Sequence, residues 1–313
     1  MKKQILSILL TLSVFAVKAQ WHATAGPEAG VVVGFTSNGS TLFASTLNNG
    51  LLLSTNNGST WQPSGLKNKM LGGLGVNGTD VLVGTQSGVA VSTDNGLTWT
   101  LDTIGIGKKS PATFVSSSGN LYAGTASYGV FRSTNNGNSW TAVNTGLTTK
   151  SVSALALNGT NLFAGTGGGG IFLSTNNGAS WTSVNTGLTD LYVSTLEVNG
   201  NNIFAGTLNS GIFLSTNNGA SWSAVNTGLT QLSVIKISSG GSNLFAALDS
   251  GIFFSANNGA NWAMLSSGFP DRYINSFYVK NNTLFIGTSD GTSVGITYRS
   301  IDTGLTGNFV IQD

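Results

Sequence analysis

The chain has 313 residues, no Cys, 44 Gly and only 8% charged side chains, with a formal net charge of +2. Absent cysteine excludes a disulfide scaffold and a thiol nucleophile, and so small a charge excludes the broad basic surface of a nucleic-acid binder. An apolar share of 40% supports a substantial core, and the Gly-, Asn-, Ser- and Thr-rich remainder fits short strands joined by turns.

The chain opens with MKKQILSILLTLSVFAVKAQ. Lys2 and Lys3 precede an apolar run from Ile5 to Val17, and small Ala19 follows. Residues 1–19 are therefore expected to be a secretory signal peptide cleaved after Ala19, giving a secreted or periplasmic protein. The run is shorter than the roughly 20 residues that span a bilayer. Without Lys2, Lys3 and Lys18, ten cationic residues face eleven acidic ones, a net charge of −1. Residues 20–313 are read as one domain.

Tryptophan punctuates that domain at 21, 61, 99, 140, 181, 222 and 262, at intervals of 38 to 41 residues. A period near 40 marks a repeat architecture. The clearest repeat contains four strand patterns: VSALALNG from Val152, TNLFAGTGGG from Thr160, GIFLSTNNG from Gly170 and ASWTSVNTGL from Ala179. Gly or Asn stands at each boundary, as hairpin turns require. Four antiparallel strands per repeat predict an all-β, seven-bladed β-propeller.

Between the third and fourth strands runs a recurring stretch, STDNGLTW at Ser92–Trp99 and STNNGASW at Ser174–Trp181 and Ser215–Trp222. Its Gly supplies positive φ, its Asp or Asn fixes the turn by accepting backbone N–H bonds, and its Trp buries a ring between blades. Asp94, Gly96 and Trp99 are thus assigned a structural role. A seventh copy, Ser300–Thr306 with Asp302 and Gly304, lacks its Trp. The segment from Trp21 parallels the other outer strands and is expected to close the last blade. The rival is that Asn308–Asp313 forms that strand, with Phe309 in place of Trp.

The pattern Ser-x-Asp-x-Gly-x-Thr-Trp resembles the Asp-box, or bacterial neuraminidase repeat. STDNGLTW matches it at every fixed position, and five further copies depart by Asn for Asp. The resemblance implies a propeller with the boxes on its periphery. It is shared by sialidases, glycoside hydrolases, receptor domains, photosystem II assembly factors and lectins, so it specifies little about function.

Catalytic residues are thinly represented. A sialidase-like site implies three convergent arginines, whereas Arg132 and Arg299 precede boxes and only Arg272 reaches the other face. Asp94 and Asp302 offer at most one carboxylate per box, too few for calcium. His22 is the sole histidine, and no metal or cofactor is expected. Asp190, Asp249, Asp271 and Asp290 fall in loops opposite the boxes, where a glycosidic carboxylate pair would lie.

One repeat column does stand out. Lys69, Lys109, Lys150 and Arg272 each precede an innermost strand, with Lys67 and Lys108 nearby and Leu191 and Leu232 in two other blades. With Tyr128, Tyr192 and Tyr273 in adjacent loops, they form a candidate ligand-binding rim on the box-free face. The expected function is a monomeric, non-catalytic module that binds a protein or carbohydrate, acidic in character. A glycoside hydrolase or a multivalent lectin is the alternative.

Overall fold

The computed structural model describes residues 21–24, 30–117, 119–249, 251–265, 273–281, 283–291 and 295–300. The signal segment, Arg272, Asp271, Asp302, Gly304 and Asn308–Asp313 lie outside them. The described residues form seven sheets of four strands each. In the fourth blade the strands run Val152–Asn158, Asn161–Thr166, Gly170–Ser174 and Thr182–Ser183, paired antiparallel in that order from the axis outward.

The last sheet is assembled from both ends of the chain. His22–Ala23 pairs with Gly295–Ser300, with His22 opposite Arg299 and Ala23 opposite Tyr298. Thr24 extends the ladder through its amide and hydroxyl, both donated to the Thr297 carbonyl. Trp21 packs against the cluster containing Phe245, Ile252, Leu265 and Phe277. The N-terminal segment therefore supplies the outer strand, and the ring has no open edge to expose.

Every innermost strand carries a register shift near its start, as between Val152 and Ala154. The distorted segment lets neighbouring blades bond near the axis. Ser45 Oγ donates to Gly72 O at 2.9 Å, Ser194 Oγ to Val234 O at 2.5 Å, Ser276 Oγ to Val32 O at 2.8 Å, and Ser153 Oγ to Val193 O. Each bond reaches the innermost strand of the next blade.

The core lies in the seams. Between blades four and five, Phe163, Ile171 and Leu188 meet Val193, Phe213 and Trp222, all buried. Middle strands supply the most enclosed positions because they have sheet on both edges and blades on both faces. Asn161–Thr166 is buried at five of six positions.

The outer strands are shorter than their sequence pattern suggests, most covering only two residues. In blades three to five an asparagine continues the contact beyond the last strand pair, Asn185 among them. Its Oδ1 accepts the Ile171 amide at 2.7 Å and its Nδ2 donates to Gly169 O at 3.0 Å, so a side chain takes over from the backbone ladder. Asn226 repeats this with Ile212 and Ser210, and Asn144 with Val130 and Tyr128.

Closure by the N-terminal strand is open to test. Removing Trp21–Thr24 strips the outer strand from the last blade and uncovers part of a core cluster. Trp21 is partly buried, so its loss costs less than the about 3–5 kcal/mol of a fully buried tryptophan, and the lost strand pairing adds to it. The truncated protein is expected to melt several degrees lower, with faster amide exchange in Gly295–Ser300. An unchanged melting temperature would contradict the closure.

Candidate functional site

The two ends of the propeller differ in chemistry, and the hairpins account for one of them. In Ser92–Trp99, Ser92 Oγ accepts the Gly96 amide at 2.7 Å and donates to Asp94 Oδ1 at 2.8 Å. Asp94 also accepts the amides of Leu97 and Thr98 and the Thr98 hydroxyl. These donors, the Thr98 hydroxyl foremost, hold its carboxyl down at about 2. Asparagine reproduces the arrangement without charge: Asn176 Oδ1 accepts from Ser174 Oγ and the Ser180 amide, while its Nδ2 donates to Ser180 Oγ. Every polar atom that distinguishes the motif is engaged in the turn, so the hairpin is a brace.

The brace aims the tryptophan. Trp99, Trp181, Trp222 and Trp262 donate their indole N–H to the carbonyls of Ser64, Val143, Val184 and Val225 of the preceding blade, at 2.7–2.8 Å. Two arginines add links in the opposite sense. Arg132 donates to Asn177 O at 3.3 Å and Arg299 to Asn57 O at 3.0 Å, each in the hairpin of the next blade. Their shared repeat column is the signal that finds this seam role in the sequence.

The opposite face carries the side chains without such duties. Lys69 and Lys150 are exposed, as are Lys67 and Lys108. At Lys150 the column has a backbone role that it shares with Leu191 and Leu232. The carbonyls of Lys150, Leu191 and Leu232 accept the amides of Gly129, Gly170 and Gly211, tying each segment to a loop of the preceding blade. The side chain at that position is left to solvent. Lys109 is the exception, because its ammonium lies over the rings of Tyr128 at 5.3 Å and Phe131 at 5.8 Å and is half-buried. Such a contact is favourable by roughly 0.5–1 kcal/mol. It turns Lys109 toward its own blade rather than into a ring of four equivalent cations.

Aromatic and aliphatic side chains complete the face. Tyr128, Tyr192 and Tyr273 are 50%, 52% and 69% exposed, and Met70, Leu191, Leu208 and Leu232 are also exposed. These make seven of the eleven exposed large apolar residues among the described ones; the rest are a hairpin tip, outer strands and an inter-blade linker. Tyr192 is positioned over Gly168, where an added Cβ would lie 3.6 Å from its ring. The face is divided: lysines cluster over blades two to four, and Leu191, Tyr192, Leu208 and Leu232 gather over blades five and six.

The aspartates on this face divide too. Asp190 is buried, and it accepts the amides of Tyr192 and Asn209 and the Asn209 side chain. It shapes a loop. Asp249 and Asp290 are exposed, and Asp271 is outside the described residues. Among the described residues no three His, Cys, Asp or Glu side chains group as a metal site. No helix there is long and apolar enough to cross a membrane.

Residues 148–304, half of the chain, match a family model described as the DUF6242 beta propeller domain. No curated protein matches the chain. Among solved structures it is similar to YCF48 bound to D1 peptide, with 14% identity, a TM-score of 0.73, and coverage of 91% of this chain and 99% of that one. The extracellular domain of the one-component system BT4673 from B. thetaiotaomicron gives 14% identity and a TM-score of 0.72, covering 89% of this chain and 39% of that one. The Niastella koreensis GH74 enzyme gives 18% identity and a TM-score of 0.65, covering 86% and 43%. At these identities the likeness is one of fold.

The hairpin chemistry predicts two contrasting variants. Asp94→Asn copies the other blades and should melt within about 2 °C of the parent at neutral pH. A depressed carboxyl stabilises the fold above the ordinary carboxylate range, near 4, and that contribution is lost as pH falls through about 2. The parent should therefore lose stability relative to Asp94→Asn across that interval. Gly96→Val should be severe, because φ is +88° and the new Cβ would meet Phe43 and Ser64, each at 2.7 Å. The expected cost is on the order of 2–5 kcal/mol. Equal melting temperatures for the two variants would contradict the bracing role.

Proposed function

The chain belongs to the DUF6242 beta propeller family, and on that footing we propose that it is an exported, non-catalytic binding module. It takes a protein partner with acidic and apolar character on the face opposite its hairpins. The hairpins are read as Asp-boxes whose role is structural. Residues 1–19 direct export, and 20–313 act as one monomeric domain.

A single observation carries this reading: exposed lysines and exposed apolar side chains concentrate on one face. The loops that carry Lys67, Lys69, Lys108, Lys109 and Lys150 contain no Asp or Glu. Positive potential there is uncompensated locally, although the mature chain as a whole is close to neutral. Arg272 belongs to the same sequence column and extends the set toward blade seven. Leu191, Tyr192, Leu208 and Leu232 offer the desolvated contact area that charge alone does not provide. Similar propellers support the choice of a protein partner, since YCF48 has been captured with a peptide and the BT4673 domain is extracellular.

A glycosidase reading gains less. The propeller of the GH74 enzyme is a likeness of fold, and a hydrolytic site needs a poised pair of carboxyl groups. Asp190, the best enclosed candidate, already accepts three hydrogen bonds within its own loop region.

The test is binding of the mature chain to a random copolymer of glutamate and tyrosine, compared with a variant carrying Gln at 69, 109, 150 and 272. Each exposed cation contributes about 0.2–1 kcal/mol. The four together should change affinity about ten-fold, and rising salt should weaken the parent more than the variant. Identical affinities at low salt would overturn the reading.

A further inference from the structure

Eleven asparagines in this chain are followed directly by glycine. Glycine has no Cβ to screen its backbone nitrogen, so in this pair that nitrogen most readily approaches the asparagine side chain. The structure divides the pairs by what happens to the glycine N–H. Six stand in the bracing hairpins, at Asn57, Asn95, Asn136, Asn177, Asn218 and Asn258. The glycine that follows is buried in each, and its amide donates to the first serine of the hairpin at 2.7–2.9 Å. The pair Asn49–Gly50 also has a buried glycine, where an added Cβ would lie 2.4 Å from Leu66 O.

The other four pairs are open. Asn38, Asn77, Asn158 and Asn199 each end the first strand of a blade, and the glycine begins the turn to the second strand. Gly39, Gly78, Gly159 and Gly200 are exposed, and an added Cβ would meet nothing within 4 Å. No hydrogen bond engages their amides among the described residues. Three of these asparagines are held by their side chains. Asn38 Nδ2 donates to Thr79 O at 2.6 Å, Asn158 Nδ2 to Asn218 Oδ1 at 2.7 Å and Asn77 Nδ2 to Asn136 Oδ1 at 3.4 Å. Asn199 has no side-chain partner among the described residues, so its carboxamide is free to turn toward the nitrogen of exposed Gly200.

We propose that Asn199 is a site of spontaneous deamidation in the folded protein, and that the first serine of each bracing hairpin protects the asparagine beside it from the same reaction. The Gly200 amide loses its proton to water, and its nitrogen forms a bond to Asn199 Cγ. The Cγ–Nδ2 bond breaks, and that nitrogen leaves as ammonia after taking up a proton from solvent. Water then opens the cyclic imide at either carbonyl. The product carries a carboxylate, with the chain continuing through the ordinary carbonyl as aspartate or through the side-chain carbonyl as isoaspartate. In the hairpins the first step is blocked, because the N–H is turned onto Ser Oγ and meets water only when the hairpin opens. The change adds negative charge at the hairpin end, away from the docking face, and does not rest on the binding role of that face.

The experiment is incubation of the mature chain in mildly alkaline buffer, followed by peptide mass mapping with fragmentation to place each conversion. Asn199 is expected to convert first of the eleven, about ten-fold faster than any hairpin asparagine. In a parallel incubation in urea that difference should vanish, since the unfolded chain exposes every glycine amide alike. Ser255→Ala removes the acceptor of the Gly259 amide, and it should raise conversion at Asn258 about ten-fold. Asn218, in the hairpin before it, should stay slow in that variant, which shows that the ring is still folded. Another of the eleven converting first in the native chain, or an Asn258 rate unchanged by Ser255→Ala, would each overturn the proposal.

Discussion

The indole N–H of one blade reaching the main-chain carbonyl of the blade before it is the contact on which the rest of this molecule depends. A seam between two sheets is for the most part a stack of apolar side chains, which attract without fixing register, with bonds such as Ser194 Oγ to Val234 O joining it near the axis. The bond from Trp181 to Val143 O fixes it, and it does so because a short hairpin holds the tryptophan at one height. Ser174, Asn176 and Gly178 make that hairpin rigid. The ring is therefore specified by many equal local decisions, each enforced by a turn of eight residues. Trp61 and Trp140 are buried without a partner for Nε1, and their seams are joined by other bonds, among them Ser276 Oγ to Val32 O and Ser116 Oγ to Val76 O.

Commitment of the hairpin end to this task explains the division of labour between the two faces. Its Ser, Asx and Gly atoms are bonded among themselves, and Arg132 and Arg299 spend their guanidinium groups on the next hairpin. On the other face the backbone does the joining. Carbonyls at Lys150, Leu191 and Leu232 hold the neighbouring loops, so the side chains at those positions are released from structural duty. That release permits Lys in some blades and Leu in others without disturbing the ring. A surface with lysines over blades two to four and a leucine-rich patch over blades five and six is the outcome.

Much of the fold was legible in the sequence because each blade needs the same hairpin and must write it again. Closure was legible for a related reason: Trp21 had no copy of the motif before it, and the copy that begins at Ser300 had no tryptophan. What escaped was set by contacts between blades. The outer strands are brief in nearly every blade, and in three of them Asn144, Asn185 and Asn226 continue the contact through side chains whose repetition was visible. Lys109 was legible as a cation but not as one folded over Tyr128. Asp190 read as a candidate acid and proved to be a loop brace.

The central claim is that one end of the ring is structure and the other is a surface for a partner. Amide hydrogen exchange, with and without saturating glutamate–tyrosine copolymer, addresses it most directly. Protection should appear in the loops around Lys69, Lys109, Lys150, Tyr192 and Leu232. The hairpins at Ser92–Trp99, Ser174–Trp181 and Ser215–Trp222 should exchange as in the free protein. Protection centred on those hairpins, with the lysine-bearing loops unchanged, would contradict the account.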